Sequence, residues 1–233
     1  MAKFLLIIFV TMAWAVEGVL IPFYHYPSLS DEEVAKLLQL RKSYPDVKII
    51  AIINPNNGNI SGSQPNFAKA IRDLNGSGIV TLGYVYSSYG KRDMNETLKA
   101  VENWKRYYKR FGISGIFLDE VDGSQKEYYD QIAKKVREDF TLLALNPGVE
   151  VDEDIFRLAD IVVTHEHSNI QPCRYRAKSA LLLHEQSDLN ESHKKLYECF
   201  DYIYITEQKT PHPWGKISSH IEKLLQMARQ THR

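Results

Sequence analysis

The chain has 233 residues, of which 44% are hydrophobic and 25% are charged, a composition typical of a folded globular protein rather than a disordered one. Its 29 basic and 29 acidic side chains give a formal net charge of +0. The composition therefore provides no basic surface for nucleic acid or for an anionic membrane, and we expect neither partner.

The N-terminus has the pattern of an export signal. Lys3 precedes an apolar run from Phe4 to Ala15, and Ala13 and Ala15 place small residues where a signal peptidase cuts. The run is too short to span a bilayer comfortably, since a membrane helix needs roughly 20 apolar residues. The sequence predicts a cleaved signal peptide over residues 1–15, with an uncleaved anchor or a buried strand as the alternative. The mature domain over residues 16–233 is then secreted, periplasmic or on the cell surface.

Short apolar runs rich in β-branched residues recur along the rest of the chain, as buried parallel strands require. Helical patterns separate them. The eight predicted strands are Gly18–Tyr26, Lys48–Asn54, Ile79–Ser87, Gly115–Val121, Thr141–Asn146, Asp160–Glu166, Ser179–His184 and Tyr202–Thr206.

Three of the intervening helices carry clear signals. Ser30 and Glu33 have the spacing of a capping box at the first helix. An apolar stripe from Leu98 to Phe111 ends at Gly112, and a second stripe from Ile217 to Leu225 marks the last helix.

Eight strands that alternate with helices predict a single α/β domain, a (β/α)8 TIM barrel. The alternative is an open doubly wound sheet. That fold would normally carry a glycine-rich phosphate loop after its first strand, and Tyr24 to Ser28 is nothing like one.

Carboxylates stand at the carboxyl ends of two predicted strands, where barrel enzymes place their chemistry. Asp119 and Glu120 follow the fourth strand and Glu166 ends the sixth. Carboxylates at the end of an apolar strand are costly to desolvate, so they are seldom kept without a partner or a task. Asp119, Glu120 and Glu166 are our candidate catalytic residues. Because side chains alternate along a strand, Asp119 and Glu120 both face the interior only if the strand has already ended.

Paired carboxylates across a cleft are the minimum equipment for cleaving a glycosidic bond, because one donates a proton and the other attacks or activates water. Tyrosines at the strand ends fit this chemistry, since an aromatic ring offers an apolar face to a sugar and a hydroxyl to its polar edge. The candidate substrate-binding residues are Tyr24, His25, Asn54, Tyr84, Tyr86, Asn146 and His184.

A competing hypothesis starts from His165-Glu166-His167, because histidines and a carboxylate at strand ends can hold zinc for hydrolysis. On a strand, however, the two histidines share one face and Glu166 takes the other. We therefore predict no metal site and no cofactor.

The chain has two cysteines, Cys173 and Cys199. Export would permit them to pair, although two buried thiols serve equally well as small hydrophobes, and we slightly favour free thiols. Acceptor triplets for N-glycosylation begin at Asn59, Asn75, Asn95 and Asn190, a weak indication of a eukaryotic secretory route.

Several segments, taken in order, resemble the spherulin-4-like or spherulation-specific family. They are residues 18–28 (GVLIPFYHYPS), 52–58 (IINPNNG), 82–86 (LGYVY) and 115–120 (GIFLDE), followed by Glu166. The resemblance spans most of the mature chain, through His184 to Tyr204-Ile205-Thr206.

This resemblance implies a TIM-barrel glycoside hydrolase, secreted or facing the cell exterior, whose characterised relatives cut galactosaminogalactan, a polymer of galactose and N-acetylgalactosamine. Its functional acids map onto Asp119, Glu120 and Glu166. The family segment before the last acid usually has a hydrophobic residue or Phe, where this chain has Thr164-His165, so the resemblance carries over the carboxylate but not the local pocket or the preferred sugar.

We expect an exported, monomeric, endo-acting hydrolase of an amino-sugar polysaccharide. Glu166 would be the acid/base. Asp119 would be the nucleophile or the residue that orients a 2-acetamido group, and Glu120 would hold water or tune its neighbour. The alternatives are a non-catalytic polysaccharide-binding barrel and, less favoured, a metal-dependent hydrolase.

Overall fold

Eight parallel strands close into a barrel in chain order, each paired with its sequence neighbours and the last paired with the first. This computed structural model describes residues 17–231, so the predicted signal peptide lies outside the described part of the chain. The strands are β1 Gly18–Phe23, β2 Lys48–Ile53, β3 Val80–Tyr86, β4 Gly115–Asp119, β5 Leu142–Leu145, β6 Ile161–His167, β7 Ser179–Leu183 and β8 Tyr202–Ile205. The prediction of a (β/α)8 TIM barrel is confirmed.

Helices cover the outside of the barrel. They are α1 Glu32–Ser43, α2 Pro65–Gly76, α3 Met94–Tyr108, α4 Lys126–Asp139, α5 Glu153–Phe156, α6 Glu191–Lys195 and α7 Ile221–Thr231. Short 3₁₀ turns occupy Pro55–Gly58, Lys109–Phe111 and Leu196–Glu198. Within residues 17–231 no helix is long and apolar enough to cross a bilayer.

The helix ends correct two sequence predictions and confirm one. Asp31, not Ser30, caps α1, because its carboxylate accepts the Val34 N–H at 3.0 Å. Ile217 is buried in the loop before α7 rather than in the helix. Gly112 does end the third helical segment, with a φ of 110° that favours glycine.

The strands are buried on both faces, which explains the nearly continuous apolar runs in the sequence, and the inner faces of the helices complete the core. β3 and α3 pack closely at Gly83, where a Cβ atom would lie 2.3 Å from the Trp104 ring. Trp104 is fully buried and its indole N–H donates to the Tyr84 carbonyl at 2.9 Å. This contact fixes the carboxyl end of β3, from which Tyr84 projects.

Cys173 and Cys199 form a disulfide with their Cα atoms 5.9 Å apart, so our slight preference for free thiols is wrong. The bond joins the β6–β7 loop to the residue that follows the last 3₁₀ turn. Distant parts of the chain converge there because β6, β7 and β8 are neighbours in the barrel. The linear sequence does not contain this proximity.

Candidate functional site

An open cleft of about 430 Å³ lies at the carboxyl ends of the strands and contains all three predicted catalytic acids. β4, β5, β6 and β7 provide its floor, and two loops form its rim. The lining residues are Tyr89, Asp119, Glu120, Asn146, Pro147, Gly148, Val149, Glu166, His167 and His184.

Asn146, which follows β5, joins the two buried carboxylates. Its side-chain nitrogen donates to Asp119 Oδ1 at 2.7 Å and to Glu166 Oε2 at 2.6 Å. The facing carboxylate oxygens therefore lie no more than 5.3 Å apart, the sum of the two bonds. The predicted substrate residue thus contacts both predicted acids directly.

Asp119 accepts three hydrogen bonds. Besides Asn146, the Tyr84 hydroxyl donates to Oδ2 at 2.8 Å and the Glu120 backbone N–H donates to Oδ1 at 2.9 Å. Burial raises the pKa of the Asp119 carboxyl, and these three donors oppose the rise because each stabilises the ionised form.

Glu166 accepts two hydrogen bonds, one from Asn146 and one from the Trp214 indole N–H at 3.2 Å. Burial raises the pKa of the Glu166 carboxyl, and the negative charge of Asp119 raises it further. Asp119 accepts one more hydrogen bond than Glu166 does, and the negative charge of Asp119 disfavours ionisation of Glu166. The first proton therefore leaves Asp119, and Glu166 keeps its own to higher pH.

Trp214 was not among the sequence candidates. It lies in the β8–α7 loop, is 8% exposed, and packs between His184 and Tyr204, with ring centroids 5.9 and 6.0 Å away. A lone tryptophan between Pro213 and Gly215, after the last strand, was the available signal. Because it lies nine residues past the end of β8, a search restricted to strand ends could not find it.

β4 ends at Asp119, and Glu120 adopts a left-handed conformation with a φ of 56°. This turn lets both acids line the cleft although they are adjacent in sequence. Ser87 Oγ donates to the Glu120 carbonyl at 2.7 Å, and the Tyr89 N–H donates to the same carbonyl at 2.7 Å. Burial and the Asp119 charge raise the pKa of the Glu120 carboxyl.

Two predicted tyrosines pack behind Asp119 rather than along the cleft. Tyr84 stacks on Phe117, and Tyr24 meets Tyr84 edge to face at a centroid distance of 5.5 Å. Burial and the Asp119 charge raise the pKa values of both phenols well above normal. Both hydroxyls therefore stay protonated and act as donors or packing groups.

Three other candidates are not brought to the cleft. His25 lies 2.7 Å from the Asp31 carboxylate at the cap of α1. The Tyr86 ring lies 4.2 Å from the Arg92 guanidinium, beside α3. Asn54 follows β2, and its buried Oδ1 has no hydrogen-bond partner among the described residues.

The two histidines of β6 and the one that follows β7 line two different cavities. His167 and His184 line the cleft, whereas His165 is buried against Phe200 and lines a neighbouring pocket. A register shift between Val163 and His165 interrupts β6 just before Glu166. Within the described part of the chain, no group of three or more His, Cys, Asp or Glu side chains is arranged to hold a metal.

The fold and cleft define a TIM barrel with paired buried carboxylates at its carboxyl face. The chain matches the model of spherulation-specific family 4 over residues 18–228, and it belongs to that family.

Two relatives add detail. The chain is 32% identical to Spherulin-4 of Physarum polycephalum over 152 residues, which are 63% of this chain and 44% of that protein. It therefore spans less than half the length of this curated relative. It also superimposes on Sph3 of Aspergillus clavatus, solved in complex with GalNAc, with a TM-score of 0.80 and 20% identity over 93% of this chain and 99% of Sph3. At that identity the likeness supports the fold alone.

Proposed function

We propose that this protein is a glycoside hydrolase that cuts within an amino-sugar polysaccharide, with Glu166 as the acid/base and Asp119 as its partner. The observation that carries the proposal is the pair of buried carboxylates held by the single amide nitrogen of Asn146. Asp119 has more hydrogen-bond donors than Glu166, and its charge raises the pKa of Glu166, which supports the unequal protonation that glycosidic cleavage requires.

Glu166 supplies the proton. Its raised pKa keeps the carboxyl protonated at pH values where an exposed glutamate is ionised, so it can protonate the departing sugar oxygen. After the leaving group departs, the same group in its ionised form accepts a proton from the incoming water.

Asp119 supplies the negative charge. Three hydrogen bonds fix the orientation of its carboxylate toward the cleft. The limit of 5.3 Å between the facing oxygens supports retention of anomeric configuration, because retaining enzymes separate their carboxyls by roughly 5–5.5 Å and inverting enzymes by roughly 6.5–9.5 Å. Asp119 then either attacks the anomeric carbon or orients a 2-acetamido group that attacks it. Glu120, at the cleft wall, binds the attacking water or a substrate hydroxyl.

An amino sugar is the proposed substrate unit because the structurally similar Aspergillus protein was solved with GalNAc. The cleft fits a neutral polysaccharide, since none of its lining residues is Lys or Arg that would bind a phosphate or sulfate. Together with the predicted signal peptide, this inference makes a galactosaminogalactan-like polymer outside the cell the proposed substrate.

The test is reducing-end release from a panel of amino-sugar polysaccharides by the mature protein and by Asp119→Asn and Glu166→Gln. We expect each substitution to lower kcat by at least about 10²-fold. Glu127→Gln is the matched control, because Glu127 is exposed on the outer helix α4. A parallel reaction contains EDTA.

Cleavage lost in both cleft variants, retained in the control and unaffected by EDTA would support the proposal. Polysaccharide binding without cleavage by the wild type would favour a non-catalytic barrel. Activity lost to EDTA and restored by zinc would favour a metal-dependent hydrolase.

A further inference from the structure

Four Asn-X-Ser/Thr triplets lie outside the proposed catalytic machinery. They begin at Asn59, Asn75, Asn95 and Asn190, and none of these asparagines lines the cleft. In a protein that follows a eukaryotic secretory route, such a triplet is an acceptor for an N-linked glycan, which is bulky and belongs on the surface. The fold separates the four into two kinds, because three asparagines are exposed, whereas Asn75 is half-buried and its amide is hydrogen-bonded between two elements.

We propose that Asn59, Asn95 and Asn190 are N-glycosylation sites of this protein and that Asn75 is a structural amide that stays unmodified. In the modification, the side-chain nitrogen of asparagine bonds to the anomeric carbon of an oligosaccharide carried on a lipid diphosphate. The lipid diphosphate leaves, and the asparagine nitrogen loses one of its two protons. The modified nitrogen therefore needs open space and can donate one hydrogen bond at most.

Asn59 and Asn95 meet both requirements. Asn59 follows the 3₁₀ turn Pro55–Gly58 and is exposed, and Asn95 is exposed in the first turn of α3. Among the described residues, neither side-chain amide takes part in a hydrogen bond. A glycan at either position therefore displaces no contact of the folded protein.

Asn190 is exposed at the N-cap of α6, where its side-chain oxygen is the engaged atom. Oδ1 accepts the Ser192 N–H at 2.9 Å. Glycosylation changes the nitrogen and leaves the oxygen as an acceptor, so the helix cap is compatible with the modification.

Asn75 meets neither requirement. Its Nδ2 donates to the Ile71 carbonyl at 3.2 Å and to the hydroxyl of Thr81, which is fully buried on β3. The backbone of Gly112 closes another side, since a Cβ there would lie 2.9 Å from the Cβ and Cγ atoms of Asn75. A glycan would remove one of the two bonds and force α2 away from its neighbours. A chain glycosylated at Asn75 before folding should therefore be absent from the folded, secreted product.

Three observations support passage through such a secretory route. The disulfide between Cys173 and Cys199 is typical of an oxidising compartment. Residues 1–15 have the pattern of a signal peptide. The two relatives described above are eukaryotic proteins. None of these observations concerns the cleft, so the proposal stands or falls independently of the proposed function.

The experiment secretes the full chain, with its own N-terminus, from cultured human cells. An N-glycosidase in heavy-oxygen water then converts each glycosylated asparagine to a labelled aspartate, which peptide mass spectrometry locates. We expect the label at positions 59, 95 and 190 and an unlabelled asparagine at position 75.

Single-triplet variants check the sites on the intact protein. Ser61→Ala, Asn95→Gln and Ser192→Ala each remove one exposed triplet, and each should increase gel mobility by the step of one glycan. Ser77→Ala is the matched control, because it removes the triplet of Asn75 and should leave the mobility unchanged.

The structural role of Asn75 has a readout without sugar. In enzymatically deglycosylated protein, Asn75→Ala should lower the urea midpoint, because the buried Thr81 hydroxyl loses its donor, whereas Asn95→Ala should leave the midpoint close to that of the wild type. Equal midpoints in the two variants would overturn this role.

A labelled residue at position 75 of the secreted protein would show that the fold tolerates a glycan there and would also overturn the assignment of Asn75. An unlabelled asparagine at position 59, 95 or 190 would overturn the assignment of that site. A chain that never reaches the medium would overturn the proposal as a whole, because all three sites require secretion.

Discussion

At the scale of single residues, the site depends on how three side-chain donors are distributed between two carboxylates. Asn146 serves both acids, Tyr84 serves only Asp119 and Trp214 serves only Glu166. Tyr84 and Trp214 therefore act on different protons of the pair. Their effects on the pH dependence of activity should be separable.

For the proposed mechanism, kcat/KM against pH should be bell-shaped, since Asp119 must be ionised and Glu166 protonated. Tyr84→Phe removes a donor to ionised Asp119, so the pKa of Asp119 rises and the acidic limb moves to higher pH. Trp214→Phe removes a donor to ionised Glu166, so the pKa of Glu166 rises and the alkaline limb moves to higher pH. Tyr84→Phe thus narrows the bell and Trp214→Phe widens it.

The measurement is kcat/KM across the pH range on one oligosaccharide, with Tyr107→Phe as the control because Tyr107 lies on the outer helix α3. A Trp214→Phe profile that shifts on its acidic limb, or a Tyr84→Phe profile that shifts only on its alkaline limb, would contradict the assigned roles.

The sequence indicated which acids line the cleft but not which groups donate hydrogen bonds to them. Polar residues at the ends of apolar strands identified Asp119, Asn146 and Glu166, because desolvation makes such positions costly without a task. The sequence could not reveal that His25 would pair with Asp31 or that Trp214 would reach Glu166, since both contacts depend on loop conformation. Alternation did predict the condition for Asp119 and Glu120 to share the cleft, and β4 ends where that condition requires.

At the scale of secondary-structure elements, the irregular turns that follow β3 and β4 place side chains in the cleft. Ser88, Tyr89 and Glu120 all have φ values between 52° and 56° and are linked by the hydrogen bond from the Tyr89 N–H to the Glu120 carbonyl. Non-glycine residues in this region are strained and persist where the surrounding structure holds them. Here Ser87 and Tyr129 are the buried hydroxyl groups that hold the turn, 3.2 Å apart.

The close packing of β3 on α3 leaves no room for a side chain at Gly83. A Cβ at this position would lie 2.3 Å from Trp104, whose indole also anchors the Tyr84 carbonyl. We expect Gly83→Ala to lower the free energy of unfolding by about 2–3 kcal/mol, as overpacking does. Gly62→Ala is the control, because nothing lies within 4 Å of the added methyl group. Urea unfolding checks both, and equal midpoints for the two variants would contradict this account.

Element types were easier to predict than element ends. All eight strands were predicted, since buried parallel strands need long apolar runs, but β1 ends at Phe23 rather than Tyr26. Pairing with β2 stops at the Phe23–Ile53 register, and no local signal in the sequence records where a neighbour ends. The α1 cap shifted by one residue for a similar reason, because Ser30 and Asp31 are both good caps and only the tertiary structure selects between them.

At the scale of the whole molecule, barrel closure depends on the seam between the first and last strands. β1 and β2 pair over six register positions, whereas β1 and β8 pair at one, Gly18 with Tyr202. The Glu17 and Gly18 N–H groups add bonds to the Asp201 carbonyl. Helix α7 packs on both β1 and β8, so its apolar face covers the part of the barrel with the fewest ladder hydrogen bonds.

The stability of the whole barrel should therefore depend on α7. Leu224 lies on the inner face of this helix and is fully buried, and its carbonyl accepts the Tyr197 hydroxyl at 3.0 Å. Leu224→Asp removes apolar contacts and buries an unpaired charge, so we expect a loss of at least about 3 kcal/mol in the free energy of unfolding. Gln226→Asp adds the same charge on the exposed face of the same helix and should cost less than about 1 kcal/mol. Urea unfolding followed by both far-UV circular dichroism and tryptophan fluorescence measures the loss. Coincident transitions would mean that the seam and the core unfold together, whereas a normal fluorescence midpoint in Leu224→Asp would show that the barrel core does not depend on α7.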